Sequence, residues 1–193
     1  MTPVNNAELE ELIADIIPAL PPITVEMKDI NFQDLNNHWA RQYIESMARR
    51  GIVAHGKVFN PDNKLSRAEF VKIVVNTVGM TAPADAAYTG FSDVSDSHTM
   101  SSFIRIAAIR GLIANNKKMK FRPNDTITRA EAMKILVGVL GADVDSVTGG
   151  SFSDVATSSD LAKFIEKARV LGIVSGQKVG SKNLFRPNDS MSR

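Results

Sequence analysis

Apolar side chains along this 193-residue chain fall at helical rather than strand spacing. Over residues 7–17, Leu9, Leu12, Ile13, Ile16 and Ile17 share one face, the i, i+3, i+4 recurrence of an amphipathic helix. Pro18, Pro21 and Pro22 end it and make a stiff extended connector. A helix is predicted next from about His38 to Arg50, with Ala40, Tyr43, Ile44, Met47 and Ala48 inward and Gly51 as a left-handed C-cap. Another begins at Ser66 and runs to about Val78, burying Phe70, Ile73, Val74 and Val78.

These two elements then recur. A helix over about Met100–Arg110 carries Phe103, Ile104, Ala107 and Ala108 and stops at Gly111. The next starts at Thr128 and ends near Gly141, on Met133, Ile135, Leu136, Val139 and Leu140. A third copy of the first element carries Leu161, Phe164, Ile165 and Ala168 up to Gly172. The punctuation repeats as well. Phe32-x-Asp34, Phe91-x-Asp93 and Phe152-x-Asp154 open the copies; Phe59-x-Pro61, Phe121-x-Pro123 and Phe185-x-Pro187 follow the first helix of each. The period is about 60 residues, so the chain reads as an all-α, mainly helical repeat array that must stack to bury its faces. The divisions are 1–30 (N-terminal helix and proline-rich connector), 31–80, 90–141 and 151–193.

The second helix of each copy starts on a capping box. Ser66 precedes Glu69 by three residues, Thr128 precedes Glu131 likewise, and the chain stops at Ser192-Arg193. In such a box the hydroxyl takes a free first-turn N–H and the Glu reaches back to the cap. Arg67 and Arg129 occupy the first helical position, where a cation opposes the helix dipole. Helix stability does not explain them. An arginine beside free N–H groups suits an anion such as a carboxylate or phosphate; the other reading is a surface arginine tied to a neighbouring acid.

Composition narrows the function. The balance of 23 basic against 21 acidic residues, net +2, is too even for an electrostatic nucleic-acid binder. The absence of cysteine rules out disulfides and thiolate chemistry. His38, His55 and His98 form no ligand cluster and no catalytic constellation is visible, so neither a metal, another cofactor nor an enzyme activity is expected. No apolar run approaches a membrane span, and Met1–Glu11 lacks the regions of a signal peptide.

The third copy is expected to lack its second helix, and the N-terminus has one to spare. Asn5-Asn6-Ala7-Glu8-Leu9 lies over Ser66-Arg67-Ala68-Glu69-Phe70, with Leu12 on Ile73 and Ile13 on Val74. The helix at 7–17 is therefore expected to fill the third slot, within the chain or by exchange with a neighbour. The alternative is a trimmed chain whose first helix packs nearby.

Together these motifs resemble the S-layer homology domain family over about residues 30–193. The resemblance rests on the Phe-x-Asp openings, on Gly51, Gly111 and Gly172, on the Phe-x-Pro loops and on the Ser66 and Thr128 boxes. It implies three repeats in a pseudo-threefold spindle around a central helical bundle, with grooves between repeats. It implies non-covalent anchoring of a bacterial surface protein to cell-wall polysaccharide, commonly a pyruvylated secondary polymer, in an extracellular, wall-bound location with a secretion signal removed or outside this chain. Carried onto this sequence, the family's groove residues are Arg67, Arg129, Arg193, Asp34, Asp93 and Asp154. Its aromatic after the opening motif survives only as Trp39. Trp39 stacks on a sugar or joins the core; each Asp caps the helix after it or meets ligand hydroxyls, the former favoured. The phenylalanines of the Phe-x-Pro loops read as core. The competing function is an assembly module that self-associates by exchanging its N-terminal helix and binds little glycan.

Overall fold

The computed structural model describes Glu11, residues 30–88 and residues 90–193. Apart from Glu11, the predicted helix over 7–17 lies outside the described residues, and so does its fit to the third slot. Among these the chain is mainly helical: α1 Arg41–Arg49, α2 Arg67–Thr77, α3 Ser101–Ile109, α4 Arg129–Val139 and α5 Ala162–Val170, with a 3-10 turn at Gln33–Leu35. One hairpin was not expected from an all-helical pattern. β1 Gln177–Val179 pairs antiparallel with β2 Lys182–Leu184 across Gly180, whose φ of 59° supplies the tight turn. These residues carry no apolar alternation, so nothing in the hydrophobic pattern marks them.

Both capping boxes form. Ser66 Oγ accepts from the Glu69 N–H and the Glu69 carboxylate accepts from the Ser66 N–H; Thr128 and Glu131 do the same. The short helices α1, α3 and α5 stop before Gly51, Gly111 and Gly172, at φ of 68°, 74° and 74°, the left-handed cap that a side chain would oppose.

The two helix types are buried differently. In α2, Ala68, Phe70, Val71, Val74 and Val75 are buried; in α4, Ala130, Ala132, Met133, Ile135 and Val137. A helix apolar on more than one side belongs at the centre, and α2 packs against α4, with α3 on α2 and α5 on α4. The short helices bury one stripe each. In α1 that stripe is narrower than the sequence implies: Ile44 and Ala48 are buried, but Tyr43 is 59% exposed. Its counterparts Phe103 and Phe164 lie beneath Lys72 of α2 and Lys134 of α4, whose ammonium nitrogens stand 5.8 and 5.7 Å from the ring centres. No central helix covers Tyr43 among the described residues.

The repeats close on one another through main chain. The Leu65 N–H donates to Met191 O, Met191 N–H to Ile127 O, and Ile127 N–H to Leu65 O, each at 3.0 Å. One residue pair further out the cycle repeats: Arg67 N–H donates to Asp125 O, Arg129 N–H to Asp189 O and Arg193 N–H to Asn63 O. The first-turn N–H groups of α2 and α4 are thus satisfied by the next repeat's loop rather than by water.

Candidate functional site: the arginine hollows

Each repeat's two phenylalanines explain the spacing of its motifs. Phe32 packs on Phe59, Phe91 on Phe121 and Phe152 on Phe185, with centroids 5.4–5.6 Å apart. The acid of the opening motif latches the same loop. Asp93 accepts from the N–H groups of Phe121 and Arg122, both at 2.8 Å; Asp154 accepts from Phe185 and Arg186, and Asp34 from Phe59 and Asn60. The residue between Phe and Pro is left-handed every time: Asn60, Arg122 and Arg186 have φ of 59–61°. A side chain there is strained, and the two N–H groups that donate to the Asp carboxylate hold it. Burial disfavours the Asp34 carboxylate, yet the Phe59 and Asn60 N–H groups, its own N–H and His38 hold it below the usual carboxylate range. The favoured expectation of helix capping is therefore corrected: α1, α3 and α5 start without a side-chain cap, and Asp34, Asp93 and Asp154 are loop latches. None of the three lines the hollow beside its repeat's loop.

The arginines reach across the repeat boundary. The guanidinium carbon of Arg67 lies 5.0 Å from the Phe121 ring centre, that of Arg129 4.8 Å from Phe185, and that of Arg193 4.9 Å from Phe59. The Nε of Arg67 donates to Phe121 O at 2.8 Å and that of Arg129 to Phe185 O at 3.0 Å. Stacking plus one fixed hydrogen bond pins the planar fork of Arg67 and of Arg129, and each of these arginines lines a hollow.

Three related hollows result. The first, about 240 Å³, is lined by Arg67, Lys120, Glu131 and Lys134 over an apolar floor that includes Phe91, Leu112 and Leu161. The second, about 250 Å³, lies at Arg129, Gly176 and Arg186. The third is smaller, about 60 Å³, at Arg193, Glu69 and Lys72. Arg67 is tied to an acid, as the alternative reading held: Nη1 stands 2.8 Å from Glu131, which also receives Arg122 at 2.6 Å. Burial lowers the Arg67 pKa, opposed by Glu131, and the group stays cationic at any working pH. Burial pushes the Glu131 carboxyl up, but the Thr128 N–H, Arg67, Arg122 and the Thr128 hydroxyl outweigh it and hold the group below its ordinary value. Three cations against one carboxylate leave the first hollow net positive.

Trp39 is 79% exposed, with its ring 5.7 Å from His38, so it is not core. It lines none of the three hollows. Lys72 and Lys134 were missed as groove residues. Their signal was there: each lies five residues beyond its motif arginine. Glu131 was read only as a cap, whereas it also partners Arg67. Among the described residues no acid or histidine cluster fits a metal ion, and no helix is long and apolar enough to cross a membrane.

A family model described as the S-layer homology domain matches residues 31–71, 90–133 and 151–193. Similar proteins include an exoglucanase of Acetivibrio thermocellus, 31% identical over 89% of this chain and 16% of that protein. An amylopullulanase of Thermoanaerobacterium thermosulfurigenes is 31% identical over 86% of this chain and 9% of its own length. A surface-layer 125 kDa protein of Lysinibacillus sphaericus is 26% identical over 92% of this chain and 15% of its own length. The chain thus spans less than a fifth of these relatives.

Proposed function

This chain belongs to the S-layer homology domain family, and from that premise we propose that it is a non-covalent anchor holding a bacterial surface protein to cell-wall polysaccharide. The observation that carries this reading is the first hollow: Arg67, Lys120 and Lys134 against the single carboxylate of Glu131, above a floor of Phe91, Leu112 and Leu161. A pyruvate ketal on a sugar offers both halves of the match, a carboxylate for the cations and a methyl group for the floor. The pinned guanidinium meets the carboxylate with little loss of side-chain freedom. The Arg129 and Arg193 hollows repeat the theme with different linings. Asp34, Asp93 and Asp154 support it indirectly, by holding the loops on which the arginines stack. Trp39 stands apart as an exposed platform for a sugar face.

Titration with pyruvylated and chemically depyruvylated wall polysaccharide tests the proposal. Binding should need the pyruvate and weaken about tenfold or more in Arg67→Ala, the worth of a hydrogen bond to a charged group. Equal binding of the two polymers would overturn it.

One observation favours a second reading. Tyr43 is exposed where Phe103 and Phe164 are each covered by a central helix. A helix laid on α1, from residues 7–17 of the same or a neighbouring chain, would restore the pattern. In the second case the chain self-associates. Light scattering that finds only monomer across a wide concentration range removes the exchanged form.

A further inference from the structure

We infer that a second sugar subsite adjoins the Arg67 hollow, so that the chain grips two neighbouring residues of one polysaccharide rather than a single anionic sugar. The inference rests on the proposed anion site at Arg67.

A separate hollow of about 650 Å³ is lined by Lys134, Thr157, Ser158, Ser159, Asp160 and Lys163, within the size range of ligand sites of about 300–1,000 Å³. It is a built feature. The linker between the second and third repeats walls it: a Cβ on Gly149 would sit 3.6 Å from Thr157 Cγ2, and Lys163 holds that linker through Asp145 at 2.9 Å. The Phe164 ring orders two ammonium groups, with Lys134 and Lys163 nitrogens each 5.7 Å from its centre.

Two links join this hollow to the first. Lys134 lines both. Leu161 lines the first hollow, while its N–H donates to Ser159 Oγ of the second at 3.3 Å and its neighbour Ala162 also lines the second. The two hollows therefore share a wall made by the middle of α4 and the start of α5. Their chemistry differs. The first has an apolar floor and a pinned guanidinium. The second offers hydroxyls, one carboxylate and two ammonium groups, with hydrogen-bond donors and acceptors in mixture. That suits a ring bearing several hydroxyls and little apolar surface: the sugar next to the anionic one along the same chain.

The test uses two probes, the methyl glycoside of a hexose bearing a pyruvate ketal and the disaccharide carrying one further hexose. With the native chain the disaccharide should bind about fivefold tighter, the worth of one or two hydrogen bonds. It alone should shift the amide resonances of residues 157–160. Ser158→Trp, which fills the second hollow, should abolish the gain and leave the monosaccharide affinity unchanged; Asp160→Ala gives a milder version should the bulky residue disturb folding. Arg67→Ala should weaken both probes. Monosaccharide binding with no gain from the second sugar, or a gain that survives Ser158→Trp with residues 157–160 unperturbed, overturns the second subsite alone. Failure of both probes on the native chain overturns the anion site and the inference with it.

Discussion

Arg129 lies over the ring of Phe185, 56 residues along the chain, and its Nε donates to the carbonyl oxygen of that same residue. One residue thus supplies both the face and the hydrogen bond that fix the guanidinium. Arg67 stands in the same relation to Phe121, 54 residues away. A lysine keeps the charge but has neither the planar fork nor the second nitrogen. Arg129→Lys and Arg67→Lys should therefore each lose about 1–2 kcal/mol of stability, a hydrogen bond and a stacked contact. Urea unfolding measures it; an unchanged midpoint would show that the stack is incidental.

The latch predicts a harsher outcome. Each carboxylate of Asp93 and Asp154 satisfies two backbone N–H groups, one on a left-handed residue. Asp93→Ala leaves both donors without it and should cost about 2–4 kcal/mol. Asp93→Asn should recover only part, because one side-chain oxygen becomes an NH2 group that cannot accept. If thermal melts show Asn equal to Asp, the charge and the second acceptor do not matter.

Acid should loosen the boundary between the first two repeats. Glu131 has a folded pKa below its unfolded value, so the stability it adds is present in full above about pH 4.3, the ordinary glutamate value. It is lost as pH falls through the lower folded value. Asp34 acts in the same direction. Unfolding free energy should therefore decline below about pH 4.3, and Glu131→Gln should flatten that decline while lowering stability at neutral pH. An unaltered acid limb in Glu131→Gln would remove Glu131 from the account.

The strained loop residue offers a gain. Arg186 has φ of 60°, and its ion pair with half-exposed Asp189 is a loose approach of 3.9 Å. Asparagine tolerates this conformation better than arginine, and the first repeat already has Asn60 at the equivalent place. Arg186→Asn should raise stability by about 0.5 kcal/mol. A loss in differential scanning calorimetry would mean that the Arg186 side chain contributes more than its geometry indicates.

Much of this architecture was legible because it is written in local chemistry. Ser66/Glu69 and Thr128/Glu131 declare helix starts that no tertiary contact needs to correct. Gly51, Gly111 and Gly172 declare the stops. What was illegible depends on partners distant in sequence. Asp93 has the right type and position for a helix cap, yet its oxygens go to a loop 28 residues on. Tyr43 fits the inward stripe of α1 by periodicity, yet among the described residues no central helix lies over it. The arginines were marked by a local oddity, a cation at a helix start, but the ring beneath each could be found only by folding. Lys134 looks like an ordinary solvated helix residue until two hollows meet at it.

The cycle of Leu65, Ile127 and Met191 has a consequence for how the molecule comes apart. An open helical array adds its units end to end, and its terminal units can fray while the middle persists. Here every unit has two neighbours, and the last bond joins residues 126 positions apart, Leu65 to Met191. Loss of any one unit breaks two of the three main-chain links at once. Such a closed circuit has no end from which to peel. Pulled from one side, it should hold its full resistance until it yields in a single cooperative event.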